Sequence, residues 1–133
     1  MKFDITHEGR TTLSVNRDGA EALGYPEAVI AAAEASVRTS AIKAECRRRI
    51  YATASAETQM NMATAAAFVS SKTASARSEH EKTVLTGIEA SLAWVADMRG
   101  NVDILAADAE LDFQFDANWP ECPDAALAVV GMF

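Results

Sequence analysis

Two histidines, two cysteines and one run of three arginines are the side chains best equipped for chemistry in this chain. His80 lies in Glu79-His80-Glu81, three residues of metal-ligating type in a row. Neighbours on a helix point in different directions, so such a trio cannot close on one ion and reads as a solvated helix start. His7 stands alone. Cys46 and Cys122 form no CxxC pair or other metal-like spacing, which fits two free thiols in a reducing compartment. Arg47, Arg48 and Arg49 could contact phosphate, but with Glu45 beside them on a regular helix they read as a salt-bridging surface. No serine sits in a G-x-S-x-G elbow, no pair of acids has a partner for general acid–base work, and the glycines are scattered singly. We therefore expect no catalytic residues, no cofactor, no metal and no small-molecule substrate.

The elements that would position these groups follow from pattern. The first fifteen residues alternate, with Phe3, Ile5 and His7 on one side, Glu8-Gly9 at the turn, and Thr11, Leu13 and Val15 after it, as in a two-stranded ribbon. Asp18-Gly-Ala-Glu21 has the form of a capping box closed by Gly24, and Pro26 is placed to open the next helix. That helix, Pro26–Thr53, carries Ile30, Ala33, Val37, Ala41, Ala44 and Tyr51 on one face and Ile42, Cys46 and Ile50 roughly opposite. It is expected to lie between other helices or to kink near Ser40. Ser55 caps a second helix, with Met60, Ala63, Ala67 and Phe68 inward and its end at Ser70–Thr73. Ser78-x-x-Glu81 caps a third, where Ile88, Val95, Val102 and Ala109 repeat every seven residues and Val84, Met98, Leu105 and Leu92 flank them.

The fold class expected is mainly α: a small N-terminal β-hairpin, then a three-helix antiparallel hairpin or bundle with long first and third helices. Residues 1–25 would be the hairpin and a short helical turn, 26–113 the helical bundle, and 114–133 an irregular acidic tail. Hydrophobic residues make up 50% of the 133, but many are alanines, which bury little area and leave a thin core. No leader-like run opens the chain, and the longest uncharged stretch, Thr58–Ser71, is too short and polar to span a bilayer. A cytoplasmic site of synthesis is expected.

Net charge is −7, and from Asn101 onward there are seven acids and no base, so the last quarter carries the whole imbalance. That argues against nucleic-acid binding. The acidic segment is either simply solvated or paired with Arg47–Arg49, within the chain or across a subunit boundary. A thin core and a long seam together predict a homo-oligomer, most simply a two-fold dimer, with a trimer as the alternative. Its interaction residues would be Val84, Ile88, Leu92, Val95, Val102 and Leu105 on the seam, with Arg47, Arg48 and Arg49 setting the register.

Ala41–Met62, AIKAECRRRIYATASAETQMNM, followed about thirty residues later by Leu92-Ala-Trp-Val-x-x-Met-Arg99, resembles the C-terminal half of small bacteriophage and prophage tail proteins of the tail-fibre or tail-assembly type. The likeness covers roughly Ala41–Leu105. It implies a non-enzymatic structural or assembly protein, partnered by itself and by other tail proteins, with no nucleic acid and no membrane. Its place would be the host bacterial cytoplasm during assembly, with presence in the virion left open. The alternative is a small bacterial helical adaptor or regulatory protein, whose sign would be an exposed apolar groove on the isolated monomer. An enzyme would need a deep pocket lined by Arg48, Glu45 and His80.

Overall fold

A computed structural model describes residues 1–133. The chain is mainly helical, at 68%, and opens with a two-stranded antiparallel hairpin followed by long helices. In order come β1 (Phe3–His7), β2 (Arg10–Val15), α1 (Arg17–Ala22), α2 (Glu27–Thr53), α3 (Ala56–Ser70), α4 (Glu79–Ala107) and α5 (Asp124–Val130). The chain divides into two compact units, Met1–Lys43 and Ala44–Phe133, with the division falling within α2. No helix is long and apolar enough to cross a membrane.

In the first unit, Glu8 and Gly9 both take positive φ, 49° and 78°, the two-residue turn that suits the twist of a hairpin. The strict alternation expected along β2 breaks. Ile5 pairs with Thr12 but Phe3 pairs with Val15, so the second strand carries an extra residue. Ser14 absorbs it at φ 53°, its N–H donating to Asp4 Oδ1 at 2.8 Å. Thr12 and Val15 thus share the face of Ile5 and Phe3, while Leu13 is left 70% exposed. Phe3, Ile5, Ala20, Tyr25 and Ile30 form the core, flanked by Val29, Ala33 and Val37.

The α1 cap lies two residues earlier than the expected capping box. Asn16 accepts from the Gly19 N–H at 2.9 Å, because its carbonyl oxygen reaches the free donors of the first turn. Gly24 closes the helix at φ 82°, with Tyr25 N–H returning to Ala20 O at 3.1 Å. Arg17 then joins α1 to α2, donating to Glu34 Oε2 at 2.6 Å and Glu27 Oε2 at 2.8 Å. The bond from Arg17 holds the Glu34 carboxyl below the usual carboxylate range.

In the second unit, Ser55 caps α3 by accepting from Thr58 N–H, and Ser78 with Glu81 forms the reciprocal capping box of α4. Lys72 adds an ion pair to Glu81 at 2.8 Å, and that contact first, then the Ser78 N–H, lowers the Glu81 carboxyl pKa. α4 runs unbroken through Gly100 and stops at Ala107, short of Phe113. Two outcomes differ from the sequence-based expectation. On α3 it is Met62 and Val69 that are buried, with Ala65 and Ala66 packed beside the core, whereas Met60 and Phe68 stand 70% and 61% exposed. Residues 114–133 are not wholly irregular, since Asp124–Val130 is helical with Ala126 and Val129 buried. One core cluster of this unit is built by three helices, with Met62 from α3, Val84 and Ile88 from α4, and Val129 from α5, while α2 buries Cys46 and Ile50.

Candidate docking groove

The arginine run and the acidic C-terminal segment meet within the chain. Glu45 accepts from Arg48 Nη2 and from Arg49 Nε, both at 2.7 Å, which i,i+3 and i,i+4 spacing on α2 makes possible. Arg49 reaches further. Its Nη1 donates to Asp116 Oδ1 at 2.8 Å, its Nη2 to Gln114 O at 3.0 Å, and its guanidinium lies 5.4 Å over the Trp119 ring. Arg47 stays exposed. Side-chain donors then stitch the segment down: Trp94 Nε1 to Pro120 O at 3.0 Å, Trp119 Nε1 to Phe113 O at 2.6 Å, and Asn101 Nδ2 to Asn118 O at 2.7 Å. Trp94 is the anchor of this returning chain.

Replacing Arg49 with methionine keeps most of the stem and removes every donor. The side chain is 15% exposed but Asp116 is 92% exposed, so the ion pair to Asp116 itself is screened and contributes little. Losing the remaining charged hydrogen bonds should lower stability by about 1–2 kcal/mol. Amide exchange should speed up over residues 110–120 and stay slow in the middle of α4. Urea unfolding with site-resolved exchange measures both.

Acid should act through the same pairs. Glu45 is lowered chiefly by its hydrogen bond from Arg48, as Glu34 is by Arg17 and Glu81 by Lys72. Folded pKa values below the unfolded ones mean that the unfolded chain binds more protons on acidification. The stability these carboxylates contribute is therefore present above the ordinary carboxylate pKa and drains away as pH falls through the lower folded values. Urea midpoints should be flat near neutrality and decline under acid, and Glu81→Gln should flatten part of that decline.

Beside the stitched segment lies an open groove of about 440 Å³. Its walls are Ile50 and Ala54 at the end of α2, Met62, Ala63 and Ala66 on α3, and Ile88, Leu92 and Val95 on α4, with Cys122 and Val130 at its edge. No charged side chain lines it. Leu92 is 66% exposed, and removing a leucine side chain from water stabilises a contact by about 1.5–3 kcal/mol. Such a surface receives apolar side chains. Burial pushes the pKa of the Cys122 thiol up, and that of Cys46 too, whose Sγ donates to Met98 O at 3.5 Å.

The residues expected on an intermolecular seam divide accordingly. Val84, Ile88, Val102 and Leu105 are buried within the chain itself, Val84 and Ile88 against Met62 and Val129. Leu92 remains in solvent and Val95 is half-buried. Arg49 is engaged within the chain, Arg48 bonds Glu45 but stays 63% exposed, and Arg47 is exposed. A second cleft of about 620 Å³ holds Arg48 with Trp94, Asp116 and Trp119, without Glu45 or His80 on its walls. Sequence reasoning missed α5 and the Gly87 notch that seats it. The available signal was Asp124-Ala-Ala-Leu-Ala-Val-Val after Pro123, a helix start too short to stand out. No protein-family model and no curated protein matches the chain.

Proposed function

We propose that this is a non-enzymatic bacteriophage or prophage tail protein, structural or assembly in role, that works through helix–helix contacts. The contact mode rests on one observation, the uncharged groove with Leu92 and Val95 open beside Met62. The tail assignment is supported by the resemblance over Ala41–Leu105. The same groove is what an adaptor or regulatory protein would present on an isolated monomer, so that second reading has an observation in its favour too. A photo-crosslinking residue in place of Leu92, expressed in the native host, separates them, since the side chain already lies in solvent. Adducts to tail-fibre, baseplate or tail-tube proteins support the tail reading. Adducts confined to regulatory or metabolic proteins overturn it in favour of the adaptor. No adduct at Leu92, with adducts elsewhere on the surface, overturns the groove as the contact.

A further inference from the structure

α3 carries two apolar stripes of the same period, two residues out of step. Met62, Ala65, Ala66 and Val69 face the core, and Met60, Ala63, Ala67 and Phe68 face outward. The fold buries the smaller stripe and leaves the larger one in water, which for an isolated chain is the less favourable choice. Between Glu57 and Lys72 the helix bears no charge at all, in a protein whose residues are 23% charged.

We infer that this outer face of α3 is a homodimer surface, on which a second copy of α3 packs antiparallel about a two-fold axis near Thr64. The order of residues is what specifies the partner. Met60 lies four residues before Thr64 and Phe68 four after it, so the axis sets each Met60 against the other copy's Phe68, a favourable thioether–ring contact. Ala63 and Ala67 flank the axis and let the backbones come close. Glu57 lies seven residues before Thr64 and Lys72 eight after it. Antiparallel pairing opposes the two helix dipoles and brings Glu57 of each copy toward the other's Lys72, which within its own chain also pairs with Glu81 and lies 4.8 Å over the Phe68 ring, while parallel pairing would set like charges side by side. The fifteen residues of α3 span about 22 Å at 1.5 Å per residue, a small interface, so association in the micromolar range is expected.

This inference rests on the helix–helix reading of the protein but is centred on Met60, Thr64, Ala67 and Phe68, none of which lines the groove; Ala63 alone borders both, so the two can fail separately. Sedimentation from 1 to about 200 μM should show a concentration-dependent rise from 14.2 kDa toward twice that mass. Ala67→Glu, on an exposed position, should hold the protein at the monomer mass with its circular dichroism unchanged, and Leu92→Asp should leave the dimer intact. Thr64→Cys, combined with Cys122→Ser, should oxidise to a covalent dimer at least tenfold faster than Ser71→Cys in the same background. A monomer at every concentration overturns the proposal. So does a dimer that survives Ala67→Glu but is lost with Leu92→Asp, which would seat the second copy in the groove, and so does faster cross-linking at residue 71 than at 64.

Discussion

Replacing Gly87 with alanine is expected to lift α5 off α4 and to destabilise the protein by about 2 kcal/mol. A Cβ built at Gly87 would lie 2.7 Å from the carbonyl oxygen of Ala125 and 2.8 Å from Val129 Cβ, with Val129 Cγ2 closer still. The oxygen belongs to the α5 backbone, so relief requires the whole short helix to move. Alanine would ordinarily gain about 0.5–1 kcal/mol over glycine inside a helix, and that gain is smaller than the cost of the collision. Leucine at the same site should cost more, about 3 kcal/mol or above, because its Cβ already collides with α5 and its further carbons add volume to a filled space. Val129, now 1% exposed, would leave the cluster it forms with Met62, Val84 and Ile88. Thermal unfolding gives the loss, and amide exchange over 124–130 shows whether α5 is the element released. An unchanged midpoint for both variants would mean that α5 is not seated on Gly87.

Met98→Ala should be the costliest truncation in the second unit, at about 3 kcal/mol, within the range for emptying a filled core position. Met98 is 1% exposed, and it borders the cleft that Trp94 and Trp119 enclose. Its carbonyl accepts from the buried Cys46 thiol, so α2 and α4 meet at this point of the second unit. That bond uses the backbone and survives the substitution, which leaves the cavity as the cause of the loss. Met98→Leu preserves volume and should cost less than about 1.5 kcal/mol. Urea midpoints for the pair test this, and equal losses for alanine and leucine would point away from packing.

The features legible in the sequence are those decided within a turn or two of chain. The hairpin turn at Glu8-Gly9, the Ser55 cap, the Ser78–Glu81 capping box and the Gly24 stop all appear as read, because each depends on neighbours no more than a few residues apart. The heptad series of α4 is met only in part: Ile88 and Val102 are buried, Val95 is half-buried and Ala109 lies beyond the end of the helix. The bulge at Ser14 was not legible, since it answers to Asp4 on the other strand and to the place Tyr25 takes beneath the sheet. Nor was the inward face of α3. Two stripes of equal period fit the same residues, and only the position of Val84, Ile88 and Val129 selects Met62 and Val69.

By itself, then, the sequence determined the hairpin turn, where α2, α3 and α4 begin and that α4 carries an apolar seam, because turn chemistry, capping and periodicity are properties of local backbone geometry. What covers that seam was decided by tertiary structure alone. An apolar stripe records the need for a neighbour without naming it, so Val84 and Ile88 serve the chain's own α3 and α5, while Leu92, four residues on, meets water. The same holds for charge: Arg49 could have faced solvent, another subunit or the acidic segment, and only the return of residues 108–123 along α4 brings Asp116 to 2.8 Å from it. The long-range contact that makes each choice is paid for by chain closure across more than sixty residues, and no local pattern encodes it.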